Sequence, residues 1–464
     1  MERGKMDRKR NAGMLAVILA LAWPTMLEQL MQTAVQYIDT AMVGSLGTQA
    51  TAAVGATSTV NWLIGSTVSA LGVGFLAYIS QAFGAREPDK ARAASAQAVI
   101  TVLAVGSVIT VLTTALSGKV PVWMRVDAGI RDMAARYFLI LYSPMLFRSA
   151  SIVFGTVLRA AGDTKTPMRV GIAVNAVNIV LNYFLIYPTH KVFGVAVPGA
   201  GWGVVGAAAA SAAAYAFGGI VITVKFWQHR DISPRGQSFR PNMAILKPSF
   251  RVAFPIILQH FATSFGYVTF ASMINSLGDT ATAAHTIANT VESAFYIPGW
   301  GMQTAAATLS GNAWGARDEK RFQNLARAIL PLEVGMMIVS GGLLFLFAPQ
   351  LMRIFSRDTA VIALGAVVLR MVAVSEPFYG VPIVLEGVMQ GVGKTVAPFV
   401  YNLVGMWGVR IVGTYICTQL MGYGLVSAWA CMIGHNMLLF VLFTVHYLTG
   451  RWNPWRYPPV RAKS

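Results

Sequence analysis

Asp39 lies in an apolar stretch whose one other charged residue is Glu28. With Glu28, Gln32 and Gln36 it forms one polar stripe, because spacings of four, four and three residues return to the same helical face. An ionised acid at the middle of a bilayer costs about 3 kcal/mol or more, so the stripe must face protein or trapped water. A carboxylate held there can exchange a proton or hold a small cation. His285, Asn289, Glu292 and Tyr296 form a second such face, and Asn175, Asn178 and Asn182 a third. Each asparagine offers a carbonyl oxygen and an amide, which can coordinate sodium or hold a carboxyl group. The same amides could equally be interhelical bonds of about 0.6 kcal/mol each. Of the 18 Asp and Glu, Glu28, Asp39, Glu292 and Glu386 fall within apolar spans, while Glu333 and Glu376 are placed nearer span ends. Glu386 stands three residues before a Met-Gln-Gly turn, close to the expected cytoplasmic end of its span, where water can reach it. Arg148 and Arg410 are the basic residues inside spans, read as internal counter-charges or as snorkelling side chains.

The elements that must position these groups are membrane helices. The chain of 464 residues is 55% hydrophobic and 12% charged, and its apolar runs of about twenty residues recur too often for a soluble core. They fall near 14–43, 50–80, 92–117, 134–157, 168–187 and 202–226, then near 250–276, 283–311, 328–349, 362–389, 396–419 and 424–448. The expected fold class is an all-α membrane protein with twelve transmembrane helices. With the N-terminus inside, 26 of the 36 Lys and Arg fall in the tails and even-numbered junctions, so both termini are expected in the cytoplasm. That asymmetry also accounts for the net charge of +18, since no basic run beyond the N-terminal tail is dense enough for a nucleic-acid groove. The basic start followed by a long apolar run reads as a retained first helix and not as a signal peptide. Cys417 and Cys431 suggest neither a metal site nor a disulfide framework.

The organisation is a duplication. At an offset of 231 residues Pro24 falls on Pro255, Ser45-Leu46-Gly47 on Ser276-Leu277-Gly278, Gly84-Ala85-Arg86 on Gly315-Ala316-Arg317, and Gly162 on Gly393. At an offset of 221, Gly201-Trp202-Gly203 falls on Gly422-Tyr423-Gly424. Six spans per repeat leave both copies in one orientation, which implies two pseudo-symmetric six-helix lobes around a central cleft. The expected division is a cytoplasmic tail at 1–12, an N-terminal lobe at 13–227, a cytoplasmic linker at 228–249, a C-terminal lobe at 250–449 and a cytoplasmic tail at 450–464. Pro24 and Pro298 are candidate hinges, since proline frees a carbonyl and permits a bend. Gly201-x-Gly203-x-x-Gly206 matches a dinucleotide pattern but opens an apolar helix with no strand before it, so close helix packing explains it better. No nucleophile, metal set or catalytic triad is legible, and an enzyme is not expected.

Tyr37-Ile38-Asp39-Thr40-Ala41-Met42-Val43-Gly44, Gln81-Ala82-Phe83-Gly84-Ala85, Leu158 to Pro167 and Glu292 to Gly299 resemble the signatures of multidrug and toxic compound extrusion (MATE) transporters, bacterial branch. The resemblance implies an antiporter that exports small organic cations or amphipathic drugs in exchange for H+ or Na+, by alternating access. It makes Asp39 the coupling residue of the first lobe, flanked by Asn178 and Asn182, with Ser211 as a helix 6 hydroxyl and Tyr37 among the cleft residues. Some relatives carry an aspartate where Asn182 stands, and a helix 7 glutamate used by several members is replaced in a segment holding Gln259 and His260. The resemblance then makes Glu292 the acid of the second lobe, with Glu386 accessory. Glu28, Gln32, Gln36, Asn175, His285, Asn289, Tyr296 and Glu386 are further cleft candidates. No cofactor, resident metal or nucleic-acid partner is expected, although Na+ could sit at Asp39 or Glu292, and a monomer in the lipid bilayer of the cell membrane is expected. A flippase for lipid-linked sugars or lipids is the alternative, expected to have about fourteen spans and a more cationic cavity.

Overall fold

The computed structural model describes residues 2–456 apart from Ala56, Phe193 and Gly194, so Met1 and residues 457–464 of the expected C-terminal tail lie outside the described residues. Where lipid offers backbone groups no partner, helices that bond internally are the solution. In the first half these are α1 (Glu2–Gly44), α2 (Thr48–Gly55), α3 (Ser58–Gly84), α4 (Pro88–Leu116), α5 (Val120–Trp123), α6 (Arg131–Tyr142), α7 (Met145–Ala160), α8 (Lys165–Ile186) and α9 (Gly203–Gln228). A hairpin of β1 (Pro188–Val192) and β2 (Val195–Ala200), absent from the sequence reading, closes the loop before α9. The second half holds α10 (Met243–Asn275), α11 (Asp279–Phe295), α12 (Ile297–Gly315), α13 (Glu319–Phe355), α14 (Thr359–Gly391), α15 (Val396–Leu403), α16 (Val412–Thr414) and α17 (Leu425–Leu448). Wide π turns at Val404–Ile411 and Tyr415–Leu420 carry the chain from α15 through α16.

Taken with their direct continuations, these helices form a run at each of the twelve expected places. Among the described residues nine are long and apolar enough to cross a membrane, and the α6–α7 pair, bent by 50°, makes a tenth. The bend falls at Ser143-Pro144, where proline removes a donor and crowds the preceding turn. The eighth span is likewise two helices, broken at Tyr296, with Pro298 in the first turn of α12 where its missing N–H costs nothing. Pro24, by contrast, lies inside an uninterrupted α1.

The chain forms two compact units: Leu27–Ile79 with Glu87–Ser249, and Met1–Met26 with Ser80–Arg86 and Phe250–Ser464. Within the first, α9 packs on α6, α7 and α8, and α4 packs on α7. Within the second, α14 packs on α11, α12, α13 and α17, and α17 packs on the Val404–Ile411 turn. Three of these pairs correspond across the repeat: α4–α7 with α13–α14, α7–α9 with α14–α17, and α8–α9 with the π turn and α17.

The turns repeat as well. Gly47 and Gly278 have φ of 108° and 100°, Gly162 and Gly393 have 87° and 79°, and Gly201 and Gly422 have 66° and 71°, a region that glycine enters without steric cost. Arg86 and Arg317 share φ of 59° and 53°, held as Arg86 N–H donates to Phe83 O and Arg317 N–H to Trp314 O, each at 3.0 Å. In the second unit the ends of α3 and α12 cross backbone to backbone. A Cβ on Gly84 would strike the Asn312 carbonyl, and one on Gly315 would strike that of Gln81.

Candidate functional site

The first unit gathers its polar residues where α1, α8 and α9 meet. Asp39 is half-buried, and its Oδ1 accepts from Asn182 Nδ2 at 2.6 Å. Asn178, one turn earlier on α8, reaches the same carboxyl group. With its nitrogen toward Asp39 it lies 2.9 and 3.2 Å from the two carboxylate oxygens, and its oxygen accepts from Ser211 Oγ at 3.1 Å. With the amide reversed, its oxygen accepts from Asn182 Nδ2 at 3.1 Å and its nitrogen donates to Ser211 Oγ at 3.1 Å. Nitrogen forward suits an ionised carboxylate, and oxygen forward suits a protonated one. Nitrogen forward is the orientation that gives the carboxylate donors from both amides, so Asn178 and Asn182 together hold the Asp39 carboxyl group.

Glu28 belongs elsewhere. It lies eleven residues earlier on α1, about 16 Å along the axis at 1.5 Å per residue. Its Oε2 pairs with Arg159 Nη2 at 2.6 Å, and Gly171 leaves room for it, since a Cβ there would come within 3.2 Å of Glu28 Cγ. Of the other stripe residues Gln32 and Gln36 are exposed, and Gln36 O accepts from Thr40 Oγ1 at 2.7 Å. Tyr37 and Asn175 are half-buried, and Asn175 Nδ2 has no hydrogen-bond partner among the described residues.

The second unit buries more acid. Glu292, 4% exposed, accepts from Tyr296 OH at 2.5 Å, and the Tyr296 ring meets Tyr379 at 5.3 Å and 63°. Arg410, also buried, has its guanidinium 4.8 Å from the Tyr267 ring and 4.4 Å from the Phe270 ring. Glu386 Oε1 accepts from Gln259 Nε2 at 3.1 Å and from Gln390 Nε2 at 3.3 Å. His285 packs edge-on between Phe270 and Trp429, at 5.5 and 5.9 Å, while Asn289 on the same helix is exposed. The face that joins these residues in sequence is therefore divided: Tyr296 reaches Glu292, while His285 fills an aromatic core.

Two acids differ from the sequence reading. Glu333 and Glu376 are not near span ends but in mid-helix on α13 and α14, both 0% exposed. For Glu333 the reason is that α13 begins at Glu319, nine residues before its expected start. Neither carboxyl group has a hydrogen-bond partner among the described residues. The Glu333 carboxyl fits between two glycines, since a Cβ on Gly299 or Gly380 would come within 3.1 or 3.2 Å of its Oε1. Ser340, beside Glu376, donates to Phe295 O at 2.8 Å, at the end of α11. A carboxylate so enclosed needs a proton or a small cation as its companion. Among the described residues no three His, Cys, Asp or Glu side chains converge as a metal group.

The MatE family profile matches residues 24–184 and 255–416, one copy in each half. The chain is 27% identical over 435 residues to a probable multidrug resistance protein NorM of Thermotoga maritima, covering 94% of this chain and 92% of the relative. A MOP superfamily transporter from Pyrococcus furiosus, described as having a binding pocket of reverse polarity, superposes with a TM-score of 0.87 at 22% identity over 96% of this chain and 97% of that one. A multidrug resistance MATE family transporter in an outward-facing conformation superposes with a TM-score of 0.85 at 24% identity over the same shares.

Proposed function

The chain belongs to the MatE family, a multi-pass membrane transporter and not an enzyme, and we propose that it is a secondary active multidrug efflux antiporter. It exports small organic cations or amphipathic compounds in exchange for H+ or Na+ by alternating access, as a monomer in the cell membrane with both termini in the cytoplasm. The observation that carries this reading is the environment of Asp39: a half-buried carboxyl group in a membrane helix, held by the side-chain amides of Asn178 and Asn182.

The chemistry follows from competition for one negative charge. An ionised Asp39 attracts a cationic cargo, and a proton or sodium ion arriving from outside cancels that attraction, so cargo leaves where the inorganic cation enters. Loss of the cation toward the cytoplasm restores the charge. Asn178 and Asn182 keep the carboxyl group in place, and Ser211 anchors the far side of the Asn178 amide. The lobes at 13–227 and 250–449 would provide the two faces of the cleft, with Glu292 and Tyr296 as the second cation-responsive pair. The use of an amide cage distinguishes Asp39 from Glu28, which has a permanent cation in Arg159.

The test is transport by the full chain reconstituted in liposomes, with a fluorescent organic cation as cargo and an imposed proton or sodium gradient. Wild type accumulates the dye against its gradient with one of the two ions, and Asp39→Asn abolishes the response while the protein stays folded. Equal transport by Asp39→Asn and wild type would remove Asp39 from coupling.

A further inference from the structure

Cys417 and Cys431 are fourteen residues apart in the chain, and the fold brings their sulfur atoms to 3.9 Å, the Cys431 thiol donating to Cys417 Sγ. Cys417 sits in the wide turn Tyr415–Leu420 and Cys431 on α17. Gly413, one turn before Cys417, sets their separation: a Cβ there would lie 3.1 Å from Cys431 Sγ, so a larger residue would push α17 away. The connection between them is fixed by backbone bonds, with Met421 N–H donating to Ile416 O at 3.0 Å and Tyr423 N–H to Cys417 O at 2.9 Å. Both thiols are half-buried and unoxidised. A disulfide needs sulfur atoms about 2.05 Å apart. The 3.9 Å between these sulfur atoms would have to shorten to that length for the bond to form.

We propose that Cys417 and Cys431 are a redox-responsive dithiol, which oxidants of the peroxide class close into a disulfide joining the last two spans. In the first step a thiol sulfur attacks a peroxide oxygen, the O–O bond breaks, and a sulfenic acid and one water form. In the second step the other thiol sulfur attacks the sulfenic sulfur, the S–S bond forms, the S–O bond breaks and a second water leaves. The two thiols give up two electrons and two protons, and one hydrogen peroxide becomes two waters. A dithiol reductant reverses the bond by exchange. In the orientation proposed above, the turn between these spans faces the outside, where such an oxidant would arrive. The cross-link would tie a π-helical turn to α17 and remove its freedom to rewind.

These are the two cysteines of the chain, so the native protein serves as its own probe. The purified full chain in detergent is treated with hydrogen peroxide, alkylated with iodoacetamide and mapped by peptide mass spectrometry. The expected result is joint protection of both thiols, with one intrachain cross-linked peptide pair that dithiothreitol releases. In Cys417→Ser the remaining thiol should stay alkylatable or oxidise beyond the sulfenic acid, without forming a pair, and Cys431→Ser should do the same. Thiols that remain alkylatable in the native protein, that reach sulfinic acid separately, or that link two chains on a non-reducing gel would overturn the proposal. No transport measurement enters, so the outcome is independent of the antiport reading.

Discussion

Breaking the Glu28–Arg159 pair tests whether Glu28 is a structural acid, unlike Asp39, which is proposed to couple. Its side chains are 10% and 16% exposed and meet at 2.6 Å, so each charge has exchanged most of its water for the other. Removing one partner of a buried pair costs about 3–5 kcal/mol, chiefly from the charge left behind, and the residual exposure here points to the lower end, about 3 kcal/mol. For a unit of about two hundred residues, 1 kcal/mol moves the melting temperature by about 2–4 °C. Arg159→Met should therefore lower the Tm of the purified protein by about 6–12 °C, and Glu28→Leu by a similar amount because the arginine loses its buried counter-charge. The double variant Glu28→Leu/Arg159→Met replaces both charges with apolar groups and should recover most of that loss, since isosteric replacement of a buried pair is often near neutral. Thermal unfolding of all four proteins in one detergent gives the coupling directly. A double variant as unstable as the sum of the singles, or an Arg159→Met protein melting within about 2 °C of wild type, would refute the account. In liposomes the double variant should still transport, whereas loss of transport at normal stability would move Glu28 into the cleft.

Two further outcomes test packing and charge. Gly315→Val drives side-chain atoms into the Gln81 backbone and should cost about 1–3 kcal/mol by overpacking, whereas Gly335→Ala meets nothing within 4 Å and should leave Tm unchanged or slightly higher; equal effects would sink the close-crossing assignment. Lys394, in the turn after α14, donates to Arg451 O at 2.9 Å, yet burial holds its ammonium at about 8, below the 10.5 of an exposed lysine. Between those values the unfolded chain binds more protons, so this group adds stability as pH rises from 8 toward 10.5. The Tm of wild type should rise relative to Lys394→Met across that window, and parallel curves would contradict it.

The helices were legible because lipid demands long apolar runs, and the repeat because its turns need glycine. Gly47, Gly162 and Gly201 and their mates adopt positive φ, so selection for one backbone shape left matching letters at fixed offsets. Asp39 stood out in the sequence for a related reason: packing among apolar residues does not need an ionisable group. Partners distant in sequence were not. Arg159 lies 131 residues from Glu28, and nothing local couples them. Glu376 lay inside a run of apolar residues without a polar helical face around it, so periodicity gave it no role. The π turns at Val404–Ile411 and Tyr415–Leu420 carry no proline or charge pattern that would mark them, and the nearness of Cys417 to Cys431 depends on those turns.

The duplication preserved backbone and let chemistry diverge, which bears on where coupling can reside. At the 231-residue offset Glu28 corresponds to Gln259, Arg159 to Gln390 and Gly155 to Glu386. The ion pair of the first half thus becomes two amides donating to one carboxylate in the second. Asp39 corresponds to Phe270, whose ring carries the Arg410 guanidinium at 4.4 Å, and Glu292 corresponds to Asn61, which accepts from Arg148 Nη1 at 2.6 Å. Neither acid has an acidic counterpart, so the two units are not interchangeable cation sites. Asp39 is half-buried and met by two side-chain amides, while Glu292 is 4% exposed with a single phenol donor. If cation exchange needs a carboxyl group open to an arriving cation, half-buried Asp39 suits it better than the enclosed Glu292, and Glu292→Gln should weaken transport less than Asp39→Asn.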